Sequence, residues 1–298
     1  MKSVRLVVAL GAFRVPLLAL LAIASVTSSA QPRFPSWSEH VEIDIVQTFD
    51  RQARLVGELR IPASDTERMP VVVIVNSSPG FDGRSAFYAA GLNAAGIASF
   101  EVDMFQGRGI APWIVANMPH AFQGLRWLAR HPRIDGARVG IMGMSYGGQV
   151  AMLPASDEIV RTYAEPGQRY AAHLGVYPQC RQLRRERAAV DKHYKPTFFD
   201  AVTGRPVHVL VGDRDDYGSL AGCRDFLDAL PAATRPFFAM TVYEGATFGW
   251  DYPFSGVSYE ATGHGGRGGM VTTTADPEMS RKSRDFAVSY FARHLAGP

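Results

Sequence analysis

Short apolar segments recur along the chain at the spacing expected of strands that alternate with helices. Residues 41–46 and 55–61 alternate apolar and polar positions, which is typical of an antiparallel hairpin. Residues 71–75 (VVVIV) form an unbroken apolar run, as a central strand buried on both faces requires. Further strands are predicted at 97–105, 138–144, 171–178, 207–213 and 237–245, and helices at 85–95, near 118–130, directly after 145 and at 280–295. This order predicts a mostly parallel α/β sheet with helices on both faces.

The first 30 residues have the pattern of a secretory signal peptide. Lys2 and Arg5 provide a positive start, and an apolar stretch resumes at 17–26. Ser28 and Ala30 are small residues at positions −3 and −1 of a plausible cleavage site before Gln31. An uncleaved membrane anchor is the alternative, but the apolar core is short and is followed by small polar residues. We therefore expect a periplasmic or secreted protein with no stable membrane insertion after cleavage.

The rest of the chain is predicted to be a single domain, from residue 35 to residue 298. The sequence has 298 residues, of which 47% are hydrophobic, and no internal repeat or long linker divides it. Its formal charge of +3 comes from three cations of the leader, Lys2, Arg5 and Arg14, so the remainder is neutral. This balance does not favour a nucleic-acid partner. The glycine-rich stretch 263–269 is predicted to be a mobile loop.

A strand, a sharp turn and a helix meet at the stretch GMSYGG, which centres on Ser145. Such a turn exposes a serine oxygen above the sheet and leaves room only for small residues two positions before and after it, here Gly143 and Gly147. The serine would also lie at a helix N-terminus, which favours developing negative charge. The alternative is an ordinary glycine-rich turn. The order of the elements predicts that Ser145 is a nucleophile.

A serine nucleophile needs hydrogen-bond donors for the oxyanion and an acid to orient its base. One predicted donor is the backbone N–H of Tyr146, and the other lies in the turn NSSPG (76–80), where we favour Ser78. The loop after the strand at 207–213 offers Asp213, Asp215 and Asp216 as acids. Alternatively, these aspartates only form turns or cap a helix.

The chain resembles the dienelactone hydrolase family of the α/β-hydrolase fold. The resemblance rests on PVVVIVNSSPG, NAAGIA, EVDMFQGRG, HPRIDGARVGIMGMSYGG, YAAHLGVYPQC and VLVGDRDDY, which span nearly the whole mature chain in this order. It implies an acyl-enzyme on Ser145, oxyanion donors from Ser78 and Tyr146, and Asp215 as the acid, three residues after a strand-end glycine. It also implies that Arg108 holds a substrate carboxylate, although a salt bridge to nearby acids is the simpler alternative.

The sequence departs from this family at the catalytic histidine. The family pattern Y-x-G-A-x-H-G-F corresponds here to YEGATFGW (243–250), so that Phe248 occupies the histidine position and would line the substrate pocket. Phenylalanine cannot accept the serine proton. Of the eight histidines, position along the chain leaves His120, His193 and His264, and only His264 also follows the acid. We therefore predict a Ser145–Asp215–His264 triad, with a merely polar loop residue as the alternative for His264.

The two cysteines, Cys180 and Cys223, are predicted to form a disulfide. Both follow predicted strands that should lie on one side of the sheet, and export to an oxidising compartment permits the bond. The alternative is a pair of buried free thiols.

Two functions from different classes follow from these observations. The first is an exported serine hydrolase that cleaves a small-molecule carboxylic ester or lactone, with no cofactor, no metal and no nucleic acid. The second is a catalytically impaired protein of the same fold that binds a small molecule or a partner. A peptidase is a weaker third hypothesis, and the oligomeric state does not follow from the sequence.

Overall fold

The structure is a computed structural model, and it describes residues 33–45, 54–104, 114–183, 198–218 and 220–297. Backbone contacts divide the chain into two units, of which the second, Pro32–Pro298, contains all of these residues. The predicted signal peptide, Arg108 and His193 lie outside the described residues.

An eight-stranded sheet forms the centre of the second unit. Its strands are β1 (Trp37–Asp44), β2 (Arg54–Ile61), β3 (Met69–Val75), β4 (Ala98–Asp103), β5 (Ile134–Met144), β6 (Ala172–Val176), β7 (Val207–Gly212) and β8 (Phe238–Tyr243), in the spatial order β1-β2-β4-β3-β5-β6-β7-β8. The β1–β2 and β2–β4 pairs are antiparallel, and all the others are parallel. The predicted opening hairpin and the mostly parallel sheet are therefore confirmed.

The apolar run of β3 is buried on both faces, as predicted. Val71, Val73 and Val75 pack into the core on one face of the sheet. Val72 and Ile74 pack into the core on the other face, because successive side chains of a strand point in opposite directions.

Helices cover both of these faces. They are α1 (Arg84–Ala94), α2 (Met118–Arg130), α3 (Tyr146–Met152), α4 (Asp157–Tyr163), α5 (Leu220–Asp228) and α6 (Pro277–His294), with short 3₁₀ segments at Ile114–Asn117, Leu153–Ala155 and Arg235–Phe237. The buried residues of α2, α3 and α5 belong to the first core, and those of α1 and α6 belong to the second. No helix among the described residues is long and apolar enough to cross a bilayer.

The region of the predicted mobile loop is more ordered than expected. Strands β9 (Gly256–Glu260) and β10 (Gly269–Thr273) pair as a separate antiparallel sheet, and a helical turn at Gly263–Gly266 joins them. The hairpin escaped prediction because Val257, Tyr259 and Met270 are exposed and Val271 alone is buried, so that no alternating apolar face marks the strands.

The final helix begins three residues earlier than predicted. The carboxylate of Asp276 accepts hydrogen bonds from the backbone N–H groups of Glu278 and Met279 at 3.0 and 2.9 Å, which is a regular N-cap.

A disulfide joins Cys180 to Cys223, as predicted. Cys180 follows β6, and Cys223 lies in α5, and both are fully buried. The alternative of two free thiols is wrong, since no free cysteine remains. The bond ties the segment after β6 to the helix that follows the loop of Asp215.

Replacing both cysteines with alanine should lower the free energy of unfolding by about 4 kcal/mol, because the disulfide closes a loop of 43 residues in the unfolded chain. Urea unfolding of the double variant and of the oxidised protein measures the difference. Reduced wild-type protein is the control for side-chain packing. A loss below about 1 kcal/mol would show that the bond contributes little beyond its two buried side chains.

Candidate active site

Ser145 lies in a strained turn between β5 and α3. Its backbone has φ 52° and ψ −117°, a conformation that non-glycine residues adopt rarely and that is found mainly at functional sites. A Cβ atom on Gly143 would collide with the carbonyl group of Gly147, so that only glycine fits there. The predicted sharp turn between strand and helix, the elbow, is therefore present in the backbone.

The elbow presses against the carboxyl ends of the neighbouring strands. A Cβ atom on Gly147 would collide with the carbonyl oxygens of Val75 and Asn76 at the end of β3. On the other side, the backbone N–H of Ser145 donates to the carbonyl of Val176 at 2.9 Å. Within the described part of the chain, the Ser145 hydroxyl has no hydrogen-bond partner.

The turn at 76–80 lies beside this elbow. Its backbone closes with a hydrogen bond from Gly80 N–H to the Ser77 carbonyl at 3.0 Å, and Ser78 is exposed at its tip. Because Gly147 contacts Asn76, the start of α3 and this turn are direct neighbours. An oxyanion hole needs this juxtaposition, since its two N–H groups come from these two segments.

The loop after β7 orients its three aspartates differently. Asp215 is buried, and its Oδ1 accepts the backbone N–H groups of Tyr217 and Gly218 at 2.9 Å each. Asp213 accepts from the backbone N–H of Gly245, and Asp216 accepts from that of Thr272. The last two aspartates therefore hold neighbouring loops, and Asp215 is the one whose carboxylate is fixed inside the fold.

Phe248 packs against two tyrosines, one in the acid loop and one beside the elbow. Its ring stacks on Tyr217 with 4.5 Å between centroids, and Tyr217 is part of the Asp215 turn. The edge of Tyr177 contacts it at 5.2 Å, and Tyr177 follows the residue that binds the Ser145 N–H. Phe248 is buried among these rings, with only 8% of its surface exposed.

His264 lies near the acid loop, but its imidazole points elsewhere. The backbone N–H of His264 donates to the carbonyl of Asp216 at 2.8 Å, which anchors the turn beside Asp215. The imidazole Nε2 of His264 donates a hydrogen bond to the carbonyl of Met270 at 2.7 Å. The structure therefore does not join the imidazole to Ser145 or Asp215.

The other described histidines do not hydrogen-bond the Ser145 hydroxyl. His173 and His208 belong to β6 and β7, where burial lowers the pKa of each to about 4. His173 donates through Nδ1 to the Ala151 carbonyl, and His208 bonds Thr241 through Nε2. His120 is fully buried in α2. In the described ranges, no histidine hydrogen-bonds the Ser145 hydroxyl.

A buried network of charged and polar side chains, which the sequence did not predict, lies next to the site. The guanidinium of Arg84, at the start of α1, binds Asp82, the hydroxyl of Tyr177 at 2.8 Å and the hydroxyl of Ser77. Asp251 accepts from Tyr177 and lies 3.7 Å from the Arg84 Nη1. No periodic pattern marks such residues, because they meet from distant segments of the chain.

Burial and charge oppose each other in this network. Burial lowers the pKa of Arg84, but Tyr177, Asp82 and Asp251 raise it, and the pKa ends above its ordinary value. Burial raises the pKa of the Asp251 carboxyl, while Arg84, Tyr177 and Tyr88 lower it. In the described part of the chain, no group of three or more side chains could hold a metal ion.

Solved structures of several esterases and dienelactone hydrolases superpose on this chain. Est1E from Butyrivibrio proteoclasticus has a TM-score of 0.59 at 14% identity, covering 87% of this chain and 99% of its own. Dienelactone hydrolase from Anabaena variabilis has a TM-score of 0.56 at 16% identity, covering 88% and 99%. Esterase B from Lactobacillus rhamnosis has a TM-score of 0.60 at 16% identity, covering 89% and 88%.

These likenesses confirm the predicted α/β-hydrolase fold and the structural resemblance to dienelactone hydrolases. At such low identity they establish the fold and not the activity. No family model and no curated protein sequence matches the chain.

Replacing Gly147 with alanine should destabilise the protein by about 3 kcal/mol, because a Cβ atom there meets two backbone oxygens that cannot move independently. Gly256→Ala is the matched control, since a Cβ atom there meets no described atom within 4 Å. Urea unfolding compares the two variants. Equal stabilities would show that the elbow is less crowded than described.

Proposed function

We propose that the protein is an exported serine hydrolase that cleaves a carboxylic ester or lactone through an acyl-enzyme on Ser145. The strained elbow carries this proposal. A positive φ at a serine, with glycines required on both sides, stores backbone strain that an ordinary turn would avoid. The turn places Ser145 at the carboxyl edge of the sheet, where open α/β sheets bind their ligands, although only 7% of its surface is exposed.

The reaction would begin with attack of the Ser145 hydroxyl on the substrate carbonyl. The backbone N–H groups of Ser78 and Tyr146 would donate to the developing oxyanion, assisted by the N-terminus of α3. Collapse of the tetrahedral intermediate expels the alcohol, or opens the lactone, and leaves the acyl group on Ser145. Water then releases the acid and restores the serine.

His264 is the proposed base and Asp215 the group that orients it. A triad imidazole accepts from the serine through one ring nitrogen and donates to the acid through the other. Because Nε2 of His264 donates to the Met270 carbonyl, catalysis requires the imidazole to give up that bond and turn toward Ser145 and Asp215. The glycines at 263, 265 and 266 flank it and permit such a change.

Phe248 supports the second candidate, a catalytically impaired protein of the same fold that binds a small molecule. Without a base, a serine hydroxyl loses most of its activation. The oxyanion donors would still bind a carbonyl compound, and a residual rate would remain. The aromatic packing around Phe248 is compatible with such a binding role.

The structural neighbours support the ester class of substrate. Thermogutta terrifontis esterase 2 is phosphorylated by paraoxon, and Est1E has been solved with ferulic acid bound. We extend to this chain only the class of ester substrates. Export is supported by the leader pattern together with the disulfide, since disulfides persist mainly in oxidising compartments.

A fluorophosphonate should label the protein once per chain, because it traps an activated serine in an oxyanion hole. Intact-mass analysis measures the stoichiometry, and peptide mapping locates the adduct. Ser145→Ala should abolish the labelling, with a fold confirmed by circular dichroism. The absence of labelling, combined with no hydrolysis of short p-nitrophenyl esters, would exclude the hydrolase.

Two substitutions separate the hydrolase from the impaired protein. If His264 is the base, His264→Ala should lower kcat/KM for p-nitrophenyl acetate by about 10²–10⁴-fold, the usual contribution of a general base. Under the same hypothesis, Phe248→His should raise it little. A gain of about 10²-fold or more in Phe248→His, with His264→Ala unchanged, would instead establish that the wild-type protein lacks a base.

A further inference from the structure

Arg84 is buried at the edge of the sheet that carries Ser145. Only 3% of its surface is exposed, although it bears a full positive charge. Its Nε donates to Asp82 at 2.9 Å, and its guanidinium lies 3.7 Å from the centre of the Tyr252 ring. A buried charge is costly unless hydrogen bonds and opposite charges compensate it, and here both are present.

Two further hydrogen bonds of Arg84 reach the oxyanion turn on one side and the segment that supports the elbow on the other. One terminal nitrogen of Arg84 donates to the hydroxyl of Ser77, the residue before the predicted oxyanion donor Ser78. The other donates to the hydroxyl of Tyr177 at 2.8 Å. Tyr177 directly follows Val176, whose carbonyl holds the backbone N–H of Ser145. One rigid guanidinium thus spans the oxyanion turn and the support of the elbow.

The geometry suits arginine and no other cation. A guanidinium presents five donors in a plane, so it can bind Ser77, Tyr177 and Asp82 together while its face stacks on Tyr252. A lysine ammonium at the same place could satisfy only part of this set. Asp251 helps to fix the arrangement, because it accepts hydrogen bonds from both Tyr177 and Tyr88.

We infer that Arg84 is a positioning residue, which holds the turn at 76–80 against the elbow so that the oxyanion donors keep their separation. The inference rests on the proposed function, since it assigns Arg84 to the oxyanion hole of that reaction. Arg84 itself touches neither Ser145 nor the substrate in this account. Its effect on the reaction would pass through Ser77 and Tyr177.

Arg84→Lys tests the inference, with Arg60→Lys as the matched control. Arg60 is also held by two acids, Glu101 at 2.6 Å and Glu58 at 2.7 Å, but it lies on β2 and not at the site. With p-nitrophenyl acetate as substrate, Arg84→Lys should lower kcat by about 10²-fold and leave KM within about threefold of the wild-type value. Displaced oxyanion donors would stabilise the transition state less while substrate binding stays the same. Arg60→Lys should leave both parameters within about twofold.

Hydrogen exchange provides a readout that does not depend on activity. The amides of residues 76–80 should exchange about tenfold faster in Arg84→Lys than in the wild type and in Arg60→Lys, while amides of the central strands stay unchanged. If the wild type neither hydrolyses esters nor reacts with a fluorophosphonate, the proposed function fails, and hydrogen exchange alone then decides whether Arg84 holds the turn at 76–80. Unchanged exchange at 76–80, or faster exchange throughout the protein, overturns the role of Arg84.

Discussion

The close contact between the first turn of α3 and the end of β3 is the constraint on which the candidate site depends. Gly147 lies against the carbonyl groups of Val75 and Asn76, so that no side chain fits between the helix and the strand. This approach forces the chain to reverse at Ser145 with a positive φ. It also brings the turn at 76–80 next to the serine. The strain at Ser145 persists because the surrounding strands determine its backbone on both sides.

The sequence predicts those features that depend on local pattern. The apolar runs of β3 and β5 and the glycines around Ser145 each lie within a few residues, and the structure confirms the sheet and the sharp turn between strand and helix. The Cys180–Cys223 disulfide was also predictable from strand order. The Arg84 network was not, because Ser77, Tyr177 and Asp251 come from separate loops and meet only in the folded chain.

The predicted catalytic base, His264, is the residue for which sequence and structure differ. Sequence order singles out His264, and its turn does bond to the backbone beside Asp215. No pattern in the sequence could show that its imidazole binds the Met270 carbonyl. Phe248, which stands at the histidine position of the family pattern, packs between Tyr177 and Tyr217. The turn at Ser145 and the buried Asp215 support the proposed hydrolase. Proton transfer to His264 would require its side chain to change hydrogen-bond partner first.

The central claim is that Ser145 carries an acyl group during turnover. Acid quenching of the protein within seconds of mixing with p-nitrophenyl acetate, followed by peptide mass analysis, tests this directly. An acetyl group is expected on the peptide that contains Ser145 and on no other serine peptide. Hydrolysis of the ester with no acetyl group on Ser145, or with the acetyl group elsewhere, would contradict it.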